Sequence, residues 1–257
     1  MSHHSTVSAT PAAADDVLPL RELYRQEMNC QVVHDSIHRR QGWATTYRLA
    51  VEGVAAGFGS MAMGGPWTDK PTIFELFVLP AYRSRAFDLF ETLAVASQAR
   101  FMTVQSNDPL QSVMLHTYAR DIHGDAIVFH DRLTTSLPSM GAVMHCQMPD
   151  EDIRQCIEVR QGGPEWRLEL NGEVVATGGI LFHYNRPYGD IYMDVTEPHR
   201  RRGFGAYVVQ ELKRAAYELG VIPAARCDTT NVASRKTLQK AGLVPYANIL
   251  TGTIAGS

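Results

Sequence analysis

Arg200-Arg201-Arg202-Gly203-Phe204-Gly205-Ala206 lies between a strand-like run, Asp190–Val195, and a helix-like run with Ala206, Val209, Leu212, Ala216 and Leu219 on one apolar stripe. A helix start presents backbone N–H groups without partners, and its dipole adds partial positive charge there. Gly203 and Gly205 allow close backbone approach, and Arg200, Arg201 and Arg202 add forked cationic donors. Together these features make an anion site suited to a pyrophosphate. A solvated basic turn has the same composition, so the elements on either side carry the weight of the reading.

Upstream, Trp166–Leu170 and Glu173–Tyr184 read as strands joined by Asn171–Gly172, a two-residue hairpin signal. Downstream, Gly220 suits the residue just past a helix C-terminus. Ala224–Cys227 then reads as a short strand, Val232–Ala241 as a helix closed by Gly242, and Tyr246–Ile254 as a last strand.

The same order occurs earlier in the chain. A helix-like Val17–Met28 precedes the strands Thr45–Val51, Val54–Met63 and Thr72–Leu79. A helix Phe87–Ala99, a short strand Met102–Gln105, a helix Leu110–Ala119 and a strand Ala126–Phe129 complete it. Val78-Leu-Pro-Ala-Tyr-Arg-Ser-Arg-Ala86 matches Val195-Thr-Glu-Pro-His-Arg-Arg-Arg-Gly203 in length and place, and Asn107 matches Asn231. A period above roughly 100 residues indicates duplicated domains rather than a solenoid.

The R-x-x-G-x-G/A order after a strand, followed by an amphipathic helix, a short strand and Asn at the next helix start, resembles the GNAT superfamily of N-acetyltransferases. The resemblance is strongest over Glu173 to Tyr246 and covers the first half in element order. It implies an α+β fold of two tandem GNAT-like domains, each a mixed, mostly antiparallel twisted sheet flanked by helices. The expected division is a disordered arm at 1–15, a degenerate domain at 16–140 and an acetyl-CoA-binding domain at 141–257. The boundary falls within Thr134–Pro149, where Ser, Pro, Gly and Met crowd together.

The resemblance further implies acetyl-CoA, or a related acyl-CoA, as cosubstrate. Arg200–Ala206, Phe204 included, would hold its pyrophosphate. The backbone near Met193–Val195, on a strand that splays from its neighbour, would pair with the pantetheine arm. Asn231 would lie along that arm and Arg235 reach the nucleotide end. The first half departs from the pattern: Ala86 and Asp88 stand where the second has Gly203 and Gly205, and an acidic Asp88 would repel a pyrophosphate.

The expected reaction is direct attack of a primary amine of a small molecule on the thioester. An amine pKa near roughly 10 calls for a base or water relay. Asp190 and Asp194 are the candidate bases; an even number of residues apart, they share one strand face with Tyr192. A strand-end Asp also serves simply as a turn cap. Many GNAT enzymes carry a Tyr acid seven positions after the helix-start Asn; Leu238 stands there, which leaves Tyr246 as the nearby candidate. Cys227 has no His at a telling spacing and reads as a packed thiol. Three segments are candidates for the acceptor site: Cys30–Arg40, with His34 and Arg39; the loop His183-Tyr184-Asn185-Arg186; and the third strand, where Tyr192 would position substrate or simply pack. The alternatives are a protein or peptide N-acetyltransferase, a non-catalytic acyl-CoA-binding regulatory module, and an aminoacyl- or peptidyl-transferase. The intact glycine loop speaks against the last, which needs no pyrophosphate cradle.

Composition excludes other classes. The chain has 257 residues, 45% of them hydrophobic, and a net charge of −3, so no global nucleic-acid footprint exists. No run approaches the roughly 18–20 apolar residues of a membrane span. Cys30, Cys146, Cys156 and Cys227 are scattered, without CxxC or metal spacing, so no metal site is expected. The start lacks a signal-peptide pattern, which points to a cytoplasmic protein.

Overall fold

The structure is a computed structural model and describes residues 6–28 and 34–255. It divides into two compact units. The first holds residues up to 28, 37–125 and from 248 onward; the second holds 34–36 and 126–247.

The first unit comprises β1 (Val7–Ala12), α1 (Leu18–Met28), the end of α2 (His34–Arg39), β2 (Ala44–Val51), β3 (Val54–Ala62) and β4 (Thr72–Val78). After these come α3 (Ala86–Ser97), β5 (Phe101–Gln105), α4 (Pro109–Tyr118) and the first part of β6 (Ala119–Asp131). The second unit takes the rest of β6, then β7 (Val143–Cys146), α5 (Asp150–Val159), β8 (Glu165–Leu170), β9 (Glu173–Leu181) and β10 (Tyr188–Val195). It continues through α6 (Phe204–Glu218), β11 (Ile222–Asp228), α7 (Val232–Lys240) and β12 (Leu243–Ile254), whose residues from Asn248 belong to the first unit.

Three expectations are corrected here. The arm at 1–15 is not disordered throughout: Val7–Ala12 pairs antiparallel with β2, from Val7↔Val51 to Ala12↔Thr46. Small residues and Pro11 mask the strand in sequence, yet an edge strand tolerates proline. The units meet at Asp125/Ala126 rather than near residue 140. The Ser/Pro/Gly-rich stretch is no linker, because it packs on α6. Leu137 N–H donates to Gln210 Oε1 (2.6 Å), and Lys213 Nζ holds the Leu133 and Ala241 carbonyls and Asp131, each at 2.7 Å. Finally, the last residues return to the first unit, where Ile249–Thr253 pairs antiparallel with β5.

The repeat survives at the level of single hydrogen bonds. Arg83 Nε donates to Val78 O (3.3 Å) and Arg200 Nε to Val195 O (3.0 Å). Leu79 N–H reaches Ala56 O, and Thr196 N–H reaches Val175 O. The hairpins correspond too: Glu52–Gly53 and Asn171–Gly172 both have two successive positive φ angles, as a type I′ turn demands. The helix-start residue departs from the alignment, for the cap matching Asn231 is Asp108 rather than Asn107. Asn107 Nδ2 instead donates to Met28 O.

Each unit has its own core. In the second, α6 buries Phe204, Ala206, Val208, Val209, Leu212 and Ala216 against Val175, Ile180 and Ile191 of β9 and β10. At about 1.5–3 kcal/mol per large buried side chain, this face anchors α6 to β10. In the first, α3 buries Leu89, Phe90 and Leu93 with Ile73, Leu76 and Val78. Among the described residues, no helix is long and apolar enough to cross a membrane.

Candidate acyl-transfer site in the second unit

β10 and β11 run parallel and pair only at Tyr188↔Ile222, Gly189↔Pro223 and Asp190↔Ala224. Beyond Asp190 they part. β10 keeps β9, with Met193↔Gly178 and Val195↔Ala176, while β11 keeps β6, with Arg226↔Val128. The edge of β10 that faces β11 therefore has no strand partner along Met193–Val195, where the resemblance places the pantetheine arm; Val195 O there accepts from Arg200 Nε. The parting opens a cleft of about 230 Å³ lined by Asp190, Ile191, Tyr192, Met193, Arg226, Ser234 and Leu238.

The chain leaves β10 through a short turn at Glu197–His199 and enters α6 at Gly203, whose φ of +97° only glycine adopts easily. No side chain caps this helix. Its first-turn N–H groups lack intrahelical acceptors and are left for an external anion. Arg201 (φ +62°) and Arg202 are exposed, the latter with its guanidinium 5.2 Å from the Phe204 ring centroid. Lys240 Nζ lies 3.9 Å from where a Cβ on Gly203 would sit, a further cation that the sequence reading missed. The residues present fit a pyrophosphate.

Gly205 plays a different part from the one its sequence suggests. A Cβ there would lie 3.2 Å from Met193 Sδ and Thr237 Cγ2 and 3.3 Å from Val195 Cγ2. Its bareness lets α6 seat against β10 and α7; the ligand-side role belongs to Gly203. Asn231 is the cap of α7, its Oδ1 accepting from Ser234 N–H at 2.9 Å. Arg235 is half-buried near Cys227. Burial pushes the Cys227 thiol up, against the opposing pull of Ser234 and Arg235, which suits a packed thiol rather than a nucleophile.

Asp190 and Asp194 part company in the structure. Asp190 is buried, lines the cleft and pairs with His183 Nε2 at 3.0 Å. Asp194 is exposed and lies outside the lining, as does Tyr246, whose ring stacks on His130 at 4.5 Å. Tyr192 lines the cleft, and its hydroxyl faces Glu165 (3.4 Å); burial, then Glu165, raises its pKa. Tyr184 is fully buried with the Arg226 guanidinium 5.7 Å from its ring centroid. Burial and then Asp190 push its phenol well above the ordinary value, against Arg226. Tyr184 is thus a core ring behind Arg226, outside the cleft lining, rather than a free substrate contact.

His34 is buried in the second unit, beside Asp35, whose N–H donates to Asn185 Oδ1 at 3.0 Å. Arg39 is exposed and belongs to the first unit. The rest of the Cys30–Arg40 segment up to residue 33, like residues 1–5, lies outside the described residues. Arg226 and Ser234 are cleft residues the sequence reading passed over. Strand alternation was the available signal for Arg226, two residues past Ala224, the partner of Asp190.

The equivalent place in the first unit is closed. β4 and β5 pair only at Thr72↔Phe101 and Ile73↔Met102, yet Tyr24 packs against Phe58 and Phe77, and its hydroxyl accepts from Gln111 Nε2 (3.1 Å). Glu75 is buried between Arg21 (3.1 Å) and His38 (2.7 Å). At the start of α3, Arg85 replaces a glycine turn and its Nε holds Asp88 at 2.7 Å, so the two charges cancel locally. A larger cavity in this unit, about 670 Å³, lies beside α3 and is lined chiefly by Phe90, Val95, Tyr118 and Ile254. Parted strands and an uncapped glycine turn are found together at the smaller cleft.

Parted parallel strands beside a glycine-turned helix start form a cleft whose residues fit a pyrophosphate-bearing ligand. Residues 132–243, which lie within the second unit, match the model of the acetyltransferase (GNAT) family. A GNAT-family acetyltransferase from Colwellia psychrerythraea shares the fold, with a TM-score of 0.68 at 14% identity, over 97% of this chain and 99% of that one. A tandem GNAT protein from the clavulanic acid biosynthesis pathway gives 0.62 at 14% over 98% and 100%. A GCN5-related N-acetyltransferase from Sphaerobacter thermophilus gives 0.61 at 14% over 96% and 95%. No curated protein matches the chain in sequence.

Proposed function

We propose that the second unit transfers the acetyl group of acetyl-CoA to a primary amine of a small molecule by direct attack, as a cytoplasmic enzyme. The observation that carries this reading is the parting of β10 and β11 beyond Asp190, with a carboxylate at its apex and the uncapped start of α6 just past Val195. The five residue steps from Asp190 to Val195 span about 17 Å, a distance an extended pantetheine arm covers. Gly203–Ala206 N–H groups, Arg201, Arg202 and Lys240 would hold the pyrophosphate. Acetyl-CoA supplies an activated thioester.

Asp190 accepts, directly or through one water, the proton that the ammonium gives up before the neutral amine attacks, and His183, its ion partner, carries that proton toward solvent. Ser234, which lines the cleft, would offer a hydroxyl to the departing thiolate where Leu238 offers none. A non-catalytic acyl-CoA-binding module is the second reading, and the apolar Leu238 wall favours it.

Calorimetric titration of acetyl-CoA into the wild type and an Arg201→Glu/Arg202→Glu variant tests the cofactor. Both side chains are exposed, so the fold is retained. One-site binding weakened more than about tenfold supports the reading; no wild-type binding refutes it. CoA release on an amine screen, lost in Asp190→Asn, separates the enzyme from the silent module.

A further inference from the structure

Arg226 and Asp190 share one face of the cleft. Asp190 pairs in register with Ala224, and Arg226 is two residues farther along β11, so both side chains point away from α6. The two do not neutralise each other: the ion partner of Asp190 is His183. Arg226 has no carboxylate within ion-pair distance among the described residues, and its guanidinium stands over Tyr184, a fully buried ring. A stacked guanidinium is pre-oriented, and its planar fork fits a carboxylate.

Resting on the acyltransferase reading above, we infer that the acceptor is an aminocarboxylate, its amine at Asp190 and its carboxylate on Arg226. A zwitterion matches the cleft charge for charge. A phosphorylated amine matches less well, because its dianion would meet one guanidinium with the Asp190 carboxylate alongside. A simple diamine would leave Arg226 facing a like charge.

The test uses the full chain saturated with free CoA, which permits no turnover. Three probe pairs are titrated by calorimetry: lysine and 1,5-diaminopentane, phenylalanine and phenethylamine, 4-aminobutyrate and butylamine. At least one carboxylate member is expected to bind more than about tenfold more tightly than its partner, the scale of a charge-assisted fork. Arg226→Met, saturated with CoA in the same way, should abolish that preference. Arg226→Lys should restore only part of it, because a point charge lacks the fork.

Equal binding within every pair, a preference that survives in Arg226→Met, or no binding by any probe overturns the inference while the acyl-CoA reading stands. Failure of CoA itself to bind refutes the acyl-CoA reading instead. The same pairs titrated into the free protein then decide the Arg226 site alone.

Discussion

Gly205→Ala separates two roles that a glycine at a helix start can have. If bareness at 205 serves only ligand approach, alanine should stabilise the helix, since glycine costs about 0.5–1 kcal/mol relative to alanine in a helix. The structure predicts the opposite. The new methyl would stand 3.2–3.3 Å from Met193 Sδ, Thr237 Cγ2 and Val195 Cγ2, so those neighbours must yield by tenths of an ångström. Overpacking of this kind costs about 1–3 kcal/mol, which outweighs the helical gain and leaves a net loss near 1 kcal/mol. Met193 is flexible, but Val195 sits on β10 and Thr237 on α7, so the strain lifts the first turn of α6 off its support. Acetyl-CoA affinity should fall about two- to tenfold as the N–H groups shift. Thr237→Ser removes the crowded methyl and keeps the hydroxyl bond to Ala233 O (2.9 Å). Combined with Gly205→Ala, it should recover about 0.5–1.5 kcal/mol as a coupling energy. Amide hydrogen exchange along α6 reads the stability of this unit by itself, and calorimetry reads the affinity. A Gly205→Ala protein as stable as the wild type, with Thr237→Ser contributing only additively, would refute the packing argument.

Gly203→Ala should act through strain alone. A Cβ there meets nothing closer than 3.7 Å, but φ of +97° costs an L-residue about 1–2 kcal/mol. Gly203→Asn should lose less, as asparagine tolerates left-handed backbone, and hydrogen exchange on α6 amides checks the order. At alkaline pH, Tyr118 and Tyr217 should ionise with midpoints pushed up to about 12, chiefly by burial and then by Glu91 and Asp131 respectively. Their folded pKa values lie above the ordinary value near 10. The stability they contribute is therefore complete below about pH 10 and lost as pH rises through about 12. Phenolate absorbance during a pH titration, with Tyr118→Phe and Tyr217→Phe for assignment, reads both; midpoints near 10 in the native protein would contradict the burial.

The sequence by itself determined the elements whose signals are local. Asn171–Gly172 closes a hairpin because both residues accept positive φ, Gly220 ends a helix for the same reason, and the stripe on α6 follows from a 3.6-residue period. The glycine-turned helix start was legible as well, since an anion site of this kind is built from contiguous backbone. Tertiary structure decided what depends on distant partners. Val7–Ala12 is a strand only because β2 offers it an edge, and residues 132–142 join the second unit only because Gln210 and Lys213 hold their backbone. Asp190 and Asp194 are equivalent by alternation, but the strands part just beyond Asp190, which places Asp190 in the cleft and Asp194 in solvent. Gly205 faces β10 and α7, a fact fixed by how the helix docks. Arg226 and Asp190 come from strands separated by a whole helix in the chain, and only the register of those strands places both in the lining of one cleft.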